Sequence, residues 1–144
     1  MKHIHLAVHF FVIISAIALM SCGSSSARII SQNHHSPNYT VLTISSKAVT
    51  KGILDKKKNI EIHISLPDSY KEHTDRRYPV IYALHGFGES PLAMITPFER
   101  ALRANGIAET IIVAVDGTNA LGGSFFANSL VTGNWEDLIV EETV

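Results

Sequence analysis

Residues 78–88 read Tyr-Pro-Val-Ile-Tyr-Ala-Leu-His-Gly-Phe-Gly. The stretch from Val80 to Leu84 is apolar at consecutive positions and so offers no polar face. Such a strand is covered on both sides, as in the middle of a parallel sheet flanked by helices. The glycines that follow let backbone N–H groups lie bare at the strand's carboxyl end, which is where open α/β sheets bind ligands.

The surrounding pattern supplies the partners such a strand needs. Residues 39–50 alternate loosely. Residues 59–66 alternate cleanly, with Ile60, Ile62, Ile64 and Leu66 on one face and Glu61, His63 and Ser65 on the other, which predicts two half-buried antiparallel strands. Lys56-Lys57-Lys58 between them reads as a solvated hairpin turn, and His63 as solvent-facing. Pro67-Asp68-Ser69-Tyr70 breaks the second strand, and 71–77 is a charged surface loop. Thr96-Pro97-Phe98-Glu99 has the form of a capping box with Pro at the first helical position, Asn105-Gly106 supplies a stop, and Phe98, Ala101 and Leu102 form an apolar stripe. Residues 110–115 form a second apolar strand ending in Asp116-Gly117. The order strand, helix, strand predicts a βαβ unit with a parallel pair and a right-handed crossover, and hence an α/β fold. Residues 118–133, rich in Gly, Asn and Ser around Phe125-Phe126, read as a functional loop. A last helix starts at Asn134, with Glu136 and Asp137 in its first turn and Trp135, Leu138 and Ile139 on its apolar face. Glu141 and Glu142 oppose the dipole further on, so the pattern reads as a helix interrupted midway.

Composition narrows the function. The 144 residues are 46% hydrophobic and 17% charged with a formal charge of −1, which argues for a globular chain and against recognition of nucleic acid, since phosphate backbones call for a concentrated cationic face. Lys2, an apolar stretch from Leu6 to Leu19 and the small residues before Cys22 have the form of an export signal, too short for a membrane span. Leu19-Met20-Ser21-Cys22 resembles the lipobox of bacterial lipoproteins. That resemblance implies cleavage before Cys22, a lipid on its sulfur and an exported, membrane-anchored protein. An ordinary cleaved signal that leaves a free thiol is the alternative. Cys22 is the only cysteine, which rules out an intrachain disulfide. The organisation expected is a signal peptide over 1–21, a flexible tether over 22–38 and a domain over 39–144. His34-His35 falls in the tether, where a metal site has no fixed geometry to rest on.

The strand ending Leu84-His85-Gly86-Phe87-Gly88, then Val113-Ala114-Val115-Asp116-Gly117, then Asn128-Ser129 ahead of Gly133-Asn134-Trp135-Glu136-Asp137, stand in a characteristic order. Together they resemble the amino-terminal half of the esterase D and feruloyl-esterase-like branch of the α/β hydrolases, over residues 41–144. The resemblance implies an incomplete α/β-hydrolase sheet, an antiparallel hairpin followed by a parallel βαβ unit. It also implies a serine carboxylic-ester hydrolase acting through an acyl-enzyme on acyl or feruloyl esters, polysaccharide-linked ones among them, with no cofactor and no metal. Carried over, Phe87 lends its backbone N–H to the oxyanion hole, Gly86 and Gly88 allow the tight approach, and His85 shapes the loop. Asp116, Asn128 and Trp135 fall at candidate substrate-binding positions.

That chemistry needs a Ser on a strained turn, a His to take its proton and an acid to orient the His. No Gly-x-Ser-x-Gly occurs in the 144 residues. Gly88-Glu89-Ser90-Pro91-Leu92 and Gly122-Gly123-Ser124-Phe125-Phe126 come nearest, and both lack the closing Gly. The expectation is therefore an esterase half, truncated before its nucleophile and inactive alone. With the nucleophile-bearing strand absent, Val80 to Leu84 becomes an open edge that invites self-association. Two alternatives stay open. One is a non-catalytic surface lipoprotein that binds carbohydrate or a protein through 118–133, with Phe125, Phe126 and Trp135 either on sugar rings or in the core. The other is an acyltransferase of the mycolyl-transferase type, which shares the triad.

Overall fold

The computed structural model describes residues 27–54, 59–73, 75–107 and 109–144. The expected signal peptide, Cys22 and the Lys56–Lys58 turn lie outside the described residues.

Five strands form one sheet: β1 Arg28–Ser36, β2 Tyr39–Ser45, β3 Asn59–Ser65, β4 Val80–Leu84 and β5 Ile111–Val115, in the spatial order β1-β2-β3-β5-β4. β2 and β3 pair antiparallel without a break, from Tyr39 against Ser65 to Ser45 against Asn59. β5 pairs antiparallel with β3 and parallel with β4, Val80 facing Ile111 and Leu84 facing Val115. The expected hairpin and parallel pair are both present, and β4 lies at an edge.

β5 shows why a strand can carry no polar face, whereas β4, expected to be covered on both sides, lies at the edge and leaves Val80 and Leu84 exposed. Ile111, Val113 and Val115 point into a core with Leu42, Ile44, Ile60, Ile62, Trp135 and Leu138, while Ile112 and Ala114 point to the other side with Ala83 and Ile95. Every β5 residue is buried, as a strand between two neighbours and two covering layers requires.

The second layer is α1, Pro91–Ala104, which packs on β5, β4 and β3. Its start corrects the sequence reading. The capping box at 96–99 is interior, and the helix begins with Ser90 in extended conformation at the N-cap and Pro91 in its first turn. Pro91 is suited to that position because its missing N–H would have no intrahelical acceptor there. The buried residues are Pro91 and Ile95, with Met94 and Leu102 against the core, whereas Phe98 and Ala101 of the expected stripe are exposed.

β1 is a second correction. Residues 28–36, expected as tether, pair antiparallel with β2 through two register shifts, with every residue exposed. The strand is held by backbone bonds and has no buried face, so no apolar period marks it. His63 also departs from expectation: it is half-buried, its Nδ1 bonded to the Tyr39 hydroxyl, and burial pulls its pKa below the usual histidine value. α1 covers this face of β3, where Ser65 donates to Glu99.

The last helix is a short α-turn, α2 Trp135–Asp137, that continues as a π-helix over Leu138–Thr143. Glu142 is not idle against the dipole: its Oε1 accepts the N–H groups of Lys47 and Ala48, each at 3.0 Å. No helix among the described residues is long and apolar enough to cross a membrane.

Candidate active site

The carboxyl ends of β4 and β5 lie side by side because the strands are parallel, so the His85–Gly88 turn meets the loop that starts at Asp116. His85 joins them. Its ring is buried, its Nδ1 lies 2.8 Å from the Gly86 carbonyl, and its Nε2 accepts the Gly117 N–H at 2.9 Å. A backbone N–H can only donate, so Nε2 is the acceptor and the proton sits on Nδ1, where the Gly86 carbonyl receives it. The ring is thereby fixed as one neutral tautomer, with the edge-to-face contact of Phe126 at 5.4 Å closing one side. Asp116 Oδ1 is 3.8 Å from Nε2, too far for a hydrogen bond, and instead accepts from the Thr118 N–H and hydroxyl at 3.0 and 2.7 Å.

The turn itself is closely bonded. Gly86 N–H donates to Glu89 Oε2 at 3.1 Å, Glu89 N–H returns to the Gly86 carbonyl at 3.1 Å, and Gly88 N–H donates to the Gly122 carbonyl at 3.1 Å. Gly88 sits at φ +75°, in the region that side chains avoid, so the turn requires glycine there. Phe87 N–H differs: among the described residues it has no acceptor, while the N–H groups of Gly86, Gly88 and Glu89 all do. The peptide joining Gly86 to Phe87 is trans, so its C=O and N–H point in opposite directions. With the carbonyl held by both the His85 ring and the Glu89 N–H, the Phe87 N–H is turned away from them.

The 118–133 segment forms the other wall. Asn119 Oδ1 accepts the N–H groups of Leu121 and Gly123 at 2.9 and 3.2 Å and so shapes the bend that presents the Gly122 carbonyl to Gly88. Buried Ser124 donates its N–H to the Gly117 carbonyl at 2.9 Å and accepts the Phe126 N–H on its hydroxyl at 3.1 Å. Gly117 is glycine for space, since a Cβ there would lie 2.4 Å from Phe126 Cζ. Sequence reasoning passed over Asn119 and Glu89, and weighed Ser124 only as a nucleophile candidate, not as the loop support it is. The signal for Asn119 and Ser124 was the Asn and Ser content of the loop, residues that bond their own backbone two positions on.

The remaining candidates fall elsewhere. Trp135, expected among the substrate-binding positions, is 0% exposed and donates Nε1–H to the Thr132 carbonyl at 2.8 Å, so it belongs to the core. Asn128 is committed to α2: its Oδ1 accepts the N–H groups of Glu136 and Asp137 at 3.0 and 3.2 Å, and its Nδ2 donates to Asp137 Oδ1 at 2.7 Å. That bond and a second one from Asn134 hold the Asp137 carboxyl below its usual pKa. Ser90 occupies the N-cap position of α1 in extended conformation and Ser124 stabilises the loop bend, so neither stands as a nucleophile on an elbow. No cluster of metal-ligating side chains occurs among the described residues. A cleft of about 340 Å³ between α1 and the β1–β2 turn, lined by Tyr39, Ser65, Glu99 and Arg103 among others, contains none of the His85–Gly88 residues.

A mixed sheet with a parallel pair, a helix across it and bonded turns at the strand ends define a partial α/β-hydrolase fold. The chain belongs to the esterase family, matching over residues 55–129 the family model described as "Putative esterase". Its fold is similar to that of a ferulic acid esterase, with a TM-score of 0.56 at 19% identity, covering 74% of this chain and 41% of that one. It is similar also to an S-formylglutathione hydrolase from Agrobacterium tumefaciens, with a TM-score of 0.53 at 15% identity over 79% of this chain and 44% of that one. The chain thus spans less than half the length of these structures. No curated protein matches it.

Proposed function

We propose that these residues form the oxyanion-hole half of a serine carboxylic-ester hydrolase that cleaves acyl or feruloyl esters through an acyl-enzyme. The observation that carries this reading is the Phe87 N–H, which has no acceptor among the described residues and is turned away from the two bonds on the Gly86 carbonyl. An ester carbonyl attacked by a serine develops negative charge on oxygen, and a donor already aimed at that charge needs no rearrangement during the reaction. Family resemblance assigns the second donor to the residue after the nucleophile. No Gly-x-Ser-x-Gly that would carry the nucleophile occurs in the 144 residues. An oxyanion donor is worth about 3 kcal/mol, whereas loss of the nucleophile costs a factor of about 10⁶ in turnover. The chain alone is therefore expected to be inert.

Purified chain incubated with a p-nitrophenyl ester should match the buffer blank; turnover that co-purifies with its monomer overturns this assignment. Nucleotide sequence beyond codon 144, read in all frames, tests the rest of it. A Gly-x-Ser-x-Gly with Asp and His further on supports the esterase, and an acyltransferase of the mycolyl-transferase type would share that pattern. Absence of the pattern favours a non-catalytic surface lipoprotein that binds carbohydrate or a protein.

Leu19-Met20-Ser21-Cys22 supports an exported protein anchored to the membrane by lipid on Cys22. A mass increase on Cys22 that disappears in Cys22→Ser tests it. Its absence from the mature protein overturns the anchor and leaves the esterase reading intact.

A further inference from the structure

Phe87 and Phe125 stack with ring centroids 5.4 Å apart and an interplanar angle of 22°. Both are open to solvent, Phe125 at 78% exposure and Phe87 at 59%. Exposed apolar groups are common singly, but a stacked aromatic pair beside an N–H with no acceptor among the described residues is a contact surface of a particular chemistry. The backbone adds a second observation. Phe125 and Phe126 are the two non-glycine residues with positive φ among the described residues, at +53° and +50°. That conformation is unfavourable for each residue with a side chain, and such outliers cluster at binding and catalytic sites.

What holds them there is local. The Phe126 ring occupies the space left by the missing Cβ of Gly117 and meets the edge of His85, while its N–H is fixed by the Ser124 hydroxyl. With Phe126 turned inward, Phe125 is carried outward against Phe87. The Phe87 ring in turn rests on Gly122 and Gly123, where added Cβ atoms would lie 2.9 and 3.0 Å from it. Burial explains Phe126. It does not explain Phe125, which gains no core contact from the strain.

We propose that Phe125, stacked on Phe87, is a specificity-determining platform for a flat ring on the substrate, an inference that rests on the oxyanion reading of the Phe87 N–H. The ring is supplied either by an aromatic acyl group or by the apolar face of a sugar on the alcohol side. The platform and the donor share residue 87, so a ring held by the platform is held within reach of the site that binds the ester oxygen.

The test is an amide NMR titration of the full chain with methyl cinnamate, methyl β-xylopyranoside and the ringless methyl butanoate. Resonances of Phe125 and Gly122 should move with cinnamate, which assigns the ring to the acyl group, or with the xyloside, which assigns it to the alcohol. Movement with neither, or equally with butanoate, overturns the platform. Phe125→Asn, a residue that tolerates positive φ, should weaken ring binding about fivefold, and Phe125→Tyr should retain it. Equal binding by the Asn variant also overturns the proposal. If the Asn variant loses its dispersed spectrum, the site of the shifts in the Tyr variant decides, and shifts away from residues 87 and 122–125 refute it. Methyl phenylphosphonate, a ring joined to a tetrahedral anion, reports the donor separately. If it moves Phe125 and leaves the Phe87 amide unshifted, the oxyanion reading fails and the platform stands.

Discussion

His85 Nε2 accepts the N–H of Gly117 at 2.9 Å, and this one bond ties the end of β4 to the end of β5. The same ring holds the Gly86 carbonyl, so the aim of the neighbouring Phe87 N–H depends on a side chain fixed from the opposite strand. His85→Ala removes a buried ring and both bonds and should destabilise the chain by about 2–4 kcal/mol in urea unfolding. A loss under 1 kcal/mol would show that the turn holds without it.

The difference between Phe87 and its neighbours is open to hydrogen exchange. The Phe87 amide should exchange near the rate of an unstructured peptide, and the Gly88 amide, bonded to Gly122, much more slowly. Equal protection at the two positions would mean that the Phe87 N–H has found an acceptor.

Two glycines test two different causes. Gly88→Ala meets open space and only the strain of φ +75°, and should lose about 1–2 kcal/mol, most of it recovered in Gly88→Asn. Gly117→Ala places a methyl 2.4 Å from the Phe126 ring and should lose about 1–3 kcal/mol through overpacking, with no recovery from Asn. The asparagine variants, compared by thermal unfolding, separate strain from crowding.

Glu109 is held below the usual carboxylate pKa, chiefly by the Ser69 hydroxyl at 2.6 Å and further by the Ser69 N–H and Arg76. Its folded-state pKa is lower than its unfolded one, so it contributes stability above the unfolded value that is lost as pH falls through the folded one. Ser69→Ala should therefore cost stability at pH 7 and flatten the decline on acidification below about pH 4.3. Parallel stability curves for parent and variant from pH 7 to 2 would refute the link.

His63 works over a higher window. Burial lowers its pKa, so between the folded value and the unfolded value near 6.5 the unfolded chain binds more protons. Stability should fall as pH drops below about 6.5, and His63→Gln should remove that slope. A histidine titrating at or above its usual value in an NMR pH series would reverse the sign.

The sheet was legible in the sequence wherever burial imposes a period. Ile60 and Ile62 alternate because one face of β3 meets the main core, and Ile111 to Val115 do not alternate because β5 is covered on both faces. β1 buries nothing, so its pairing left no trace in residue type. The start of α1 was misplaced because Thr96-Pro97-Phe98-Glu99 and Ser90-Pro91 are both plausible starts locally, and only packing of Pro91 on the sheet distinguishes them. Within the site, His-Gly-Phe-Gly announced a turn at a strand end. The bond from Gly117 to His85 spans 32 residues and the positive φ at Phe125 depends on where Phe126 is buried, and neither has a local signature.

The position of β5 between β3 and β4 has a consequence for the order of assembly. β4 leaves the ribosome well before β5, yet its sole strand partner in the described sheet is β5. Until residue 115 is available, β4 has no strand to pair with, and Val80, Ile81 and Tyr82 remain open to any other chain nearby. Closure of this fold is thus a late event made by the arrival of one strand, and a pause in synthesis before β5 would be the moment at which the protein is most exposed to misassembly.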